Sequence, residues 1–85
     1  MDLYYVHYVY ILQSLVNSDQ YYVGSTADLK KRLESHNSGA NKHTNKFKPW
    51  KIIWYSAFLS AKTAIFFEKY LKTASGIAFR RKRLI

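Results

Sequence analysis

The chain has 85 residues, enough to bury one core and too few for a second, so residues 1–85 are expected to form a single domain. Its 48% hydrophobic and 18% aromatic content excludes a disordered tail, and the lack of cysteine excludes a disulfide framework and thiolate zinc sites. The formal net charge of +9, with eleven Lys and Arg against Glu68 alone from Ser35 onward, favours a polyanionic partner.

Residues Tyr4 to Gln13, "YYVHYVYILQ", are nearly all aromatic or β-branched and predict a first strand. "SLVNSD" reads as a turn and "QYYVG" as a short second strand ending at Gly24, so the two should form a hairpin. A register that pairs Tyr10 with Tyr22 would project both phenols to one side. "STADLKKRLESHNSG" predicts a helix capped at Ser25 or Thr26, with Asp28 in its first turn and Asn37 and Gly39 as stop signals. "ANKHTNKFKP" has no hydrophobic period and reads as a basic loop. In "WKIIWYSAF", a third strand, Trp50, Ile52 and Trp54 should alternate with Lys51, Ile53 and Tyr55. A second helix is expected from Ala61 to Ala74, capped by Ser60, then a break at "SG" and a helical basic tail, "IAFRRKRLI".

The order is ββαβα plus a tail: a small α/β (α+β) domain with a three-stranded, mainly antiparallel sheet, flanking helices and a short basic C-terminal helix. No stretch reaches the roughly eighteen apolar residues of a membrane span, and the start, acidic at Asp2, lacks the basic opening of a secretion signal. Cytoplasm is therefore the expected compartment. A membrane-surface role is disfavoured because the basic positions are spread over several segments instead of striping one helix.

At about 100° per residue, Leu29, Arg32, Leu33 and His36 share one arc of the first helix, which puts two polar groups on its leucine face. His36 alone could be a satisfied core histidine, but Arg32 cannot shed its charge and calls for a partner or a ligand. On the second helix Ala64, Phe67, Glu68 and Leu71 cluster in the same way, so Glu68 faces inward. It could form a buried salt bridge with Arg32 or a lysine, yet a lone ion pair adds little net stability. A carboxylate among cations and aimed at a polyanion is better explained as a ligand for a hard divalent cation. Tyr10 and Tyr22, by spacing alone, read as packing residues.

Taken together, "YVY" (Tyr8 to Tyr10), "YVG" (Tyr22 to Gly24) and "LKKRLESH" (Leu29 to His36) resemble the GIY-YIG endonuclease family, and the likeness covers nearly the whole chain. "NSGANKHTNKFKPWKIIWY" and "EKYLK" match, in order and spacing, small stand-alone members related to the amino-terminal nuclease domain of the excision-repair incision subunit. The resemblance implies that Tyr10 and Tyr22 are the two motif tyrosines, Arg32 the helix arginine, His36 the family histidine and Glu68 the metal-binding glutamate. The sequence departs from the pattern at Tyr8, where the family name has glycine, and at Ser25, where the repair enzymes have lysine. It also has no asparagine after Asn45.

The resulting expectation is a Mg²⁺-dependent DNA endonuclease, with Mn²⁺ as the alternative ion, acting in DNA repair or recombination. Asp2, Asp19 and Asp28 lie at the terminus, in the turn and at a helix start, which leaves Glu68 to hold a single ion with waters and the substrate phosphate. Arg32 would hold non-bridging phosphate oxygens with its two-pronged guanidinium. An unperturbed tyrosine costs roughly 4 kcal/mol to ionise at pH 7, so ordinary pKa values favour His36 as the base. The resemblance favours Tyr22, whose phenolate nearby cations would stabilise. Tyr22 is taken as base, with His36 receiving the proton and Tyr10 orienting water or substrate.

Lys42, Lys46, Lys48, Lys72, Arg80, Arg81, Lys82 and Arg83 are candidates for a backbone clamp on DNA read by its shape, a structured or branched duplex included. RNA is the less favoured polyanion, and a protein partner is open. The main rival is a catalytically inactive DNA- or RNA-binding module of the same fold. A third reading, a ribosome-associated basic protein, predicts salt-sensitive RNA binding with no dependence on Glu68.

Overall fold

The computed structural model of the chain describes residues 6–85, so the expected strand start at Tyr4 and Tyr5, and Asp2, lie outside the described residues. Among the described residues three strands form: β1 (His7–Ser14), β2 (Tyr21–Thr26) and β3 (Trp50–Phe58). Both pairings are antiparallel and the order is β2-β1-β3, which puts the most apolar strand in the middle. Four helices cover the sheet: α1 (Leu29–Ser38), α2 (Lys42–Asn45), α3 (Ala61–Leu71) and α4 (Ala74–Arg83). The α+β class with a three-stranded antiparallel sheet is the one expected from the sequence.

Four consecutive β1 residues, Val9 to Leu12, are buried, so both faces of the strand are covered. Val9 and Ile11 join Val23, Ala64 and Leu71 on the α3 side, packed by Ile53, Trp54, Phe58, Phe67 and Leu84. Tyr10 and Leu12 join Trp50 on the α1 side, packed by Tyr22, Leu29, Leu33, Phe47 and Ile52. The sheet thus separates two apolar layers.

The hairpin register differs from the expected one by two residues: Tyr10 faces Gly24, and Tyr22 faces Leu12. A slip of two leaves every side chain on its face, so both phenols still share a side. In β3 the alternation breaks. Ile11 pairs with Trp54 and Leu12 with Ile52, which leaves Ile53 as a bulge. Trp54 is thereby turned to the α3 layer, away from Trp50 and Ile52.

The helix ends show which polar residue wins each cap. Asp28, not Ser25 or Thr26, caps α1 by accepting from the Lys31 N–H, and Gly39 closes it at φ 85°. Ser25 and Thr26 belong to β2. The expected basic loop contains α2, capped by Asn41. α3 is capped by Ser60 as predicted but stops at Leu71, three residues before Ala74, because Thr73 caps a new helix. The "SG" pair therefore lies inside α4 instead of separating it from α3.

Gly76 has a packing reason to be there. A Cβ at that position would sit 1.8 Å from the Tyr70 carbonyl oxygen, so α4 can start against the end of α3 only without a side chain. Backbone cannot swing aside, and overpacking of this kind costs about 3 kcal/mol. Gly76→Ala is expected to lower the melting temperature by about 10 °C or more, as read by circular dichroism. A melting point equal to wild type would mean that the two helices are free to separate.

Candidate active site at the edge of strand β2

Tyr10 leaves β1 on the α1 side, and its ring lies across Gly24 of the neighbouring strand. A Cβ on Gly24 would fall 2.5 Å from the Tyr10 hydroxyl, so the glycine of "YVG" is the space that phenol occupies. The hydroxyl then meets Nε2 of His36 at 2.9 Å. His36, from α1, is 0% exposed, and its Nδ1 lies 2.7 Å from Oγ1 of Thr44 in α2. Thr44 is held in turn, its hydroxyl donating to the Asn41 carbonyl at 3.4 Å and its own carbonyl accepting from the Trp50 indole at 2.8 Å. Tyr22, half-buried on β2, packs against this pair with its ring centre 4.8 Å from that of His36 and 6.4 Å from that of Tyr10.

Burial sets the protonation of the inner pair. Tyr10 is raised above its ordinary value, chiefly by burial and then by Tyr22, with Glu68 adding to this and Arg32 opposing it. His36 is lowered, by burial first and by the Arg32 charge second. Both shifts favour a protonated phenol beside a neutral imidazole.

Arg32 departs from the sequence expectation. It shares the helical arc of His36, yet it is exposed while His36 is buried. It lines the contact with Tyr10, Leu12, Leu29, Leu33 and Ile52 and also an open depression of about 500 Å³ beside Thr26, Asp28, Lys31 and Ser35. A guanidinium at a rim can meet an incoming anion without burying its charge alone.

Glu68 approaches from the other face of the sheet. Because β2 is an edge strand, an α3 side chain can reach past it. Ser25, on the α3 side of β2, donates to Glu68 Oε1 at 2.7 Å, and Lys72, one turn along α3, donates to Oε2 at 2.7 Å. Burial alone would raise the Glu68 carboxyl, but hydrogen bonds from Lys72 and Ser25, helped by the charges of Lys72 and Lys69, hold it below its ordinary value. Lys72 also lies 5.9 Å from the centre of the Tyr22 ring, so its ammonium links the two faces at the strand edge.

The structure thus brings Tyr10, Tyr22 and His36 into contact, with Arg32 at their rim and Glu68 around the edge. The candidate clamp residues divide. Lys42 on α2, and Lys46 and Lys48 beyond it, are exposed on the α1 side. Arg81, Lys82 and Arg83 are exposed in the last turn of α4, where cations also suit the helix dipole. Arg80 is half-buried, close enough to feel Tyr21 of β2. Lys72 is exposed as well and forms an ion pair with Glu68.

Sequence reasoning missed Ser25, read as a helix cap, and Thr44, read as loop. Their partners lie 43 and 8 residues away, and no local pattern marks a hydroxyl that serves a distant side chain.

The GIY-YIG catalytic domain model matches residues 6–82. A UPF0213 protein of Streptococcus pneumoniae serotype 4 is 39% identical over 66 residues, covering 76% of this chain and 65% of that protein. The chain thus spans about two thirds of the length of such curated relatives. The structure-specific endonuclease subunit SLX1 of Chaetomium globosum is 42% identical over 66 residues, covering 71% of this chain and 20% of that protein. The solution NMR structure of a UPF0213 protein from Bacillus halodurans superposes with a TM-score of 0.54 at 29% identity, covering 91% of this chain and 83% of that one.

Nucleases of this type depend on a divalent cation, and the donor set can be tested for one. No group of three or more His, Cys, Asp or Glu able to hold a metal is found among the described residues, so a closed protein cage is excluded there. Each Glu68 oxygen accepts one hydrogen bond and keeps a lone pair. The carboxylate side chain is 18% exposed, and its Lys72 partner, 48% exposed, can swing into solvent. That arrangement fits an ion such as Mg²⁺, which binds through one or two carboxylates and keeps its waters and substrate oxygens.

Proposed function

The chain belongs to the GIY-YIG family, and from that premise we propose that it is an endonuclease that hydrolyses DNA phosphodiester bonds with one divalent cation held by Glu68. The observation that carries this reading is the carboxylate itself: one acid, in a strongly basic chain, reaching a strand edge where two tyrosines, a neutral histidine and an arginine already meet. A surface built only to bind phosphate has no use for an acid that repels it. Mg²⁺ is the proposed ion and Mn²⁺ its substitute.

When bound at Glu68, the cation would supply Lewis-acid charge for the phosphate and the leaving oxygen. Arg32, exposed at the rim, receives the non-bridging oxygens and neutralises the charge that builds on them. Tyr22, acting as its phenolate, takes the proton of the attacking water, and the Lys72 ammonium lies 5.9 Å from its ring centre. His36 is sealed beneath Tyr10 and touches no water directly, so any proton reaches it through the Tyr10 hydroxyl. Tyr10 orients the water or the substrate through its hydroxyl oxygen.

The clamp residues Lys42, Lys46, Lys48, Arg80, Arg81, Lys82 and Arg83 would track the DNA backbone on either side of β2 and carry no base readout, which suits recognition by shape. The similarity to a structure-specific endonuclease subunit supports a branched or otherwise structured duplex as substrate, and a role in repair or recombination. The test is a cleavage panel of branched, nicked and linear duplexes with Mg²⁺, Mn²⁺ or chelator. Cutting is expected with either ion, fastest on a branched duplex, and is lost on chelation and restored by added metal. Tight binding without cutting under both ions would establish the rival, a binding module of the same fold.

A further inference from the structure

We infer that Thr44 is a positioning residue of the site: its hydroxyl holds the His36 imidazole in the Nδ1–H tautomer and so directs the Tyr10 proton onto Nε2. The consequence for cleavage rests on the nuclease reading above, whereas the tautomer does not.

The argument is an accounting of protons. A neutral imidazole carries one N–H, on either Nδ1 or Nε2, and the other nitrogen accepts. Tyr10 is 1% exposed and remains protonated, and the acceptor its O–H reaches among the described residues is Nε2 of His36. If Nε2 carried the proton, the phenol O–H would be buried without an acceptor, which disfavours that tautomer. The Thr44 hydroxyl has an alternative that Tyr10 lacks, because it can donate to the Asn41 carbonyl while accepting from His36. With Nδ1 protonated, Tyr10, His36 and Thr44 all have partners. With Nε2 protonated, one does not.

Thr44 also stands where the fold can use it. It lies in the short helix that carries Lys42 and is followed by Lys46, and the Trp50 indole fixes its backbone. The segment proposed to grip DNA is therefore the one that orients the buried imidazole, which orients the motif tyrosine. Neither Thr44 nor His36 is proposed to touch the metal.

The test uses the full chain labelled with ¹⁵N-histidine and read by long-range ¹H–¹⁵N correlation. Wild type is expected to show His36 protonated at Nδ1 and bare at Nε2. Thr44→Val keeps the shape and removes the acceptor. It is expected to move His36 toward the Nε2–H tautomer and to lower kcat about 10- to 100-fold with little change in KM. Thr44→Ser should restore both readouts. A wild-type spectrum with the proton on Nε2 overturns the inference even if the valine variant does not fold, and so does a folded Thr44→Val protein that keeps Nδ1–H. The spectrum is recorded without metal or DNA, so a chain that proves unable to cleave leaves this result intact, and the two failures are distinguishable.

Discussion

Glu68→Ala is expected to lower metal-dependent cleavage about 10³-fold or more while leaving the chain folded. The rate term follows from the cation, whose stabilisation of charge in the transition state is worth several kcal/mol, at about 1.4 kcal/mol per factor of ten. The stability term is small because what Glu68 loses is modest. Its partner Lys72 is half exposed, and such helical pairs contribute about 0.3–0.5 kcal/mol. Ser25 loses an acceptor at the edge of a strand, where water can replace it. Nicking rates and a thermal melt, measured on the same preparations, separate the two terms. Cleavage at the wild-type rate would reduce the carboxylate to a helix salt bridge and remove the reason for placing a metal there. Loss of the fold would show it to be structural. Glu68→Gln sharpens the comparison: it keeps the side-chain length and an acceptor for Ser25 but lacks the negative charge a metal needs.

The parts of this architecture that could be read in the sequence are those with a short-range cause. The β-branched and aromatic runs specify the strands, and strand parity survives a register error of two, which is why Tyr10 and Tyr22 share a face although they pair with Gly24 and Leu12 and not with each other. The Ser60 cap was legible for the same reason. At α1 three polar residues, Ser25, Thr26 and Asp28, competed within four positions, and the deciding factor was that strand pairing with Tyr8 and Val9 carries β2 through Thr26. The bulge at Ile53 has no local signature, since an apolar residue there fits either layer. Helical phase located His36 correctly and misjudged Arg32, because the arc of a helix ends at the edge of what it packs on and a long side chain on that arc can leave. Lys72, read as a clamp cation, is also the i,i+4 partner of Glu68, while the Ser25 contact needs the reach of α3 to an edge strand.

That same edge yields the second large effect: Tyr22→Phe is expected to lower kcat by about 10²- to 10⁴-fold, the range of a lost proton-transfer group. The fold should be little disturbed, because the phenylalanine ring keeps the contacts with His36 and Tyr10. Ordinary pKa values would assign the base to His36, but a group with no exposure and with both nitrogens engaged cannot take a proton from solvent water. Its effect must pass through Tyr10. Tyr22 has the opposite situation, half-buried at the site and with a cation over its ring. The decisive measurement is a single-turnover cleavage series comparing Tyr22→Phe, Tyr10→Phe and His36→Gln. If Tyr22→Phe cleaves at the wild-type rate while the other two are inactive, the water is activated along the Tyr10–His36 line and the roles of the two tyrosines exchange. If Tyr22→Phe is the slowest of the three and still binds DNA with wild-type affinity, the proton leaves through the outer phenol, and the buried pair serves to hold the water in place.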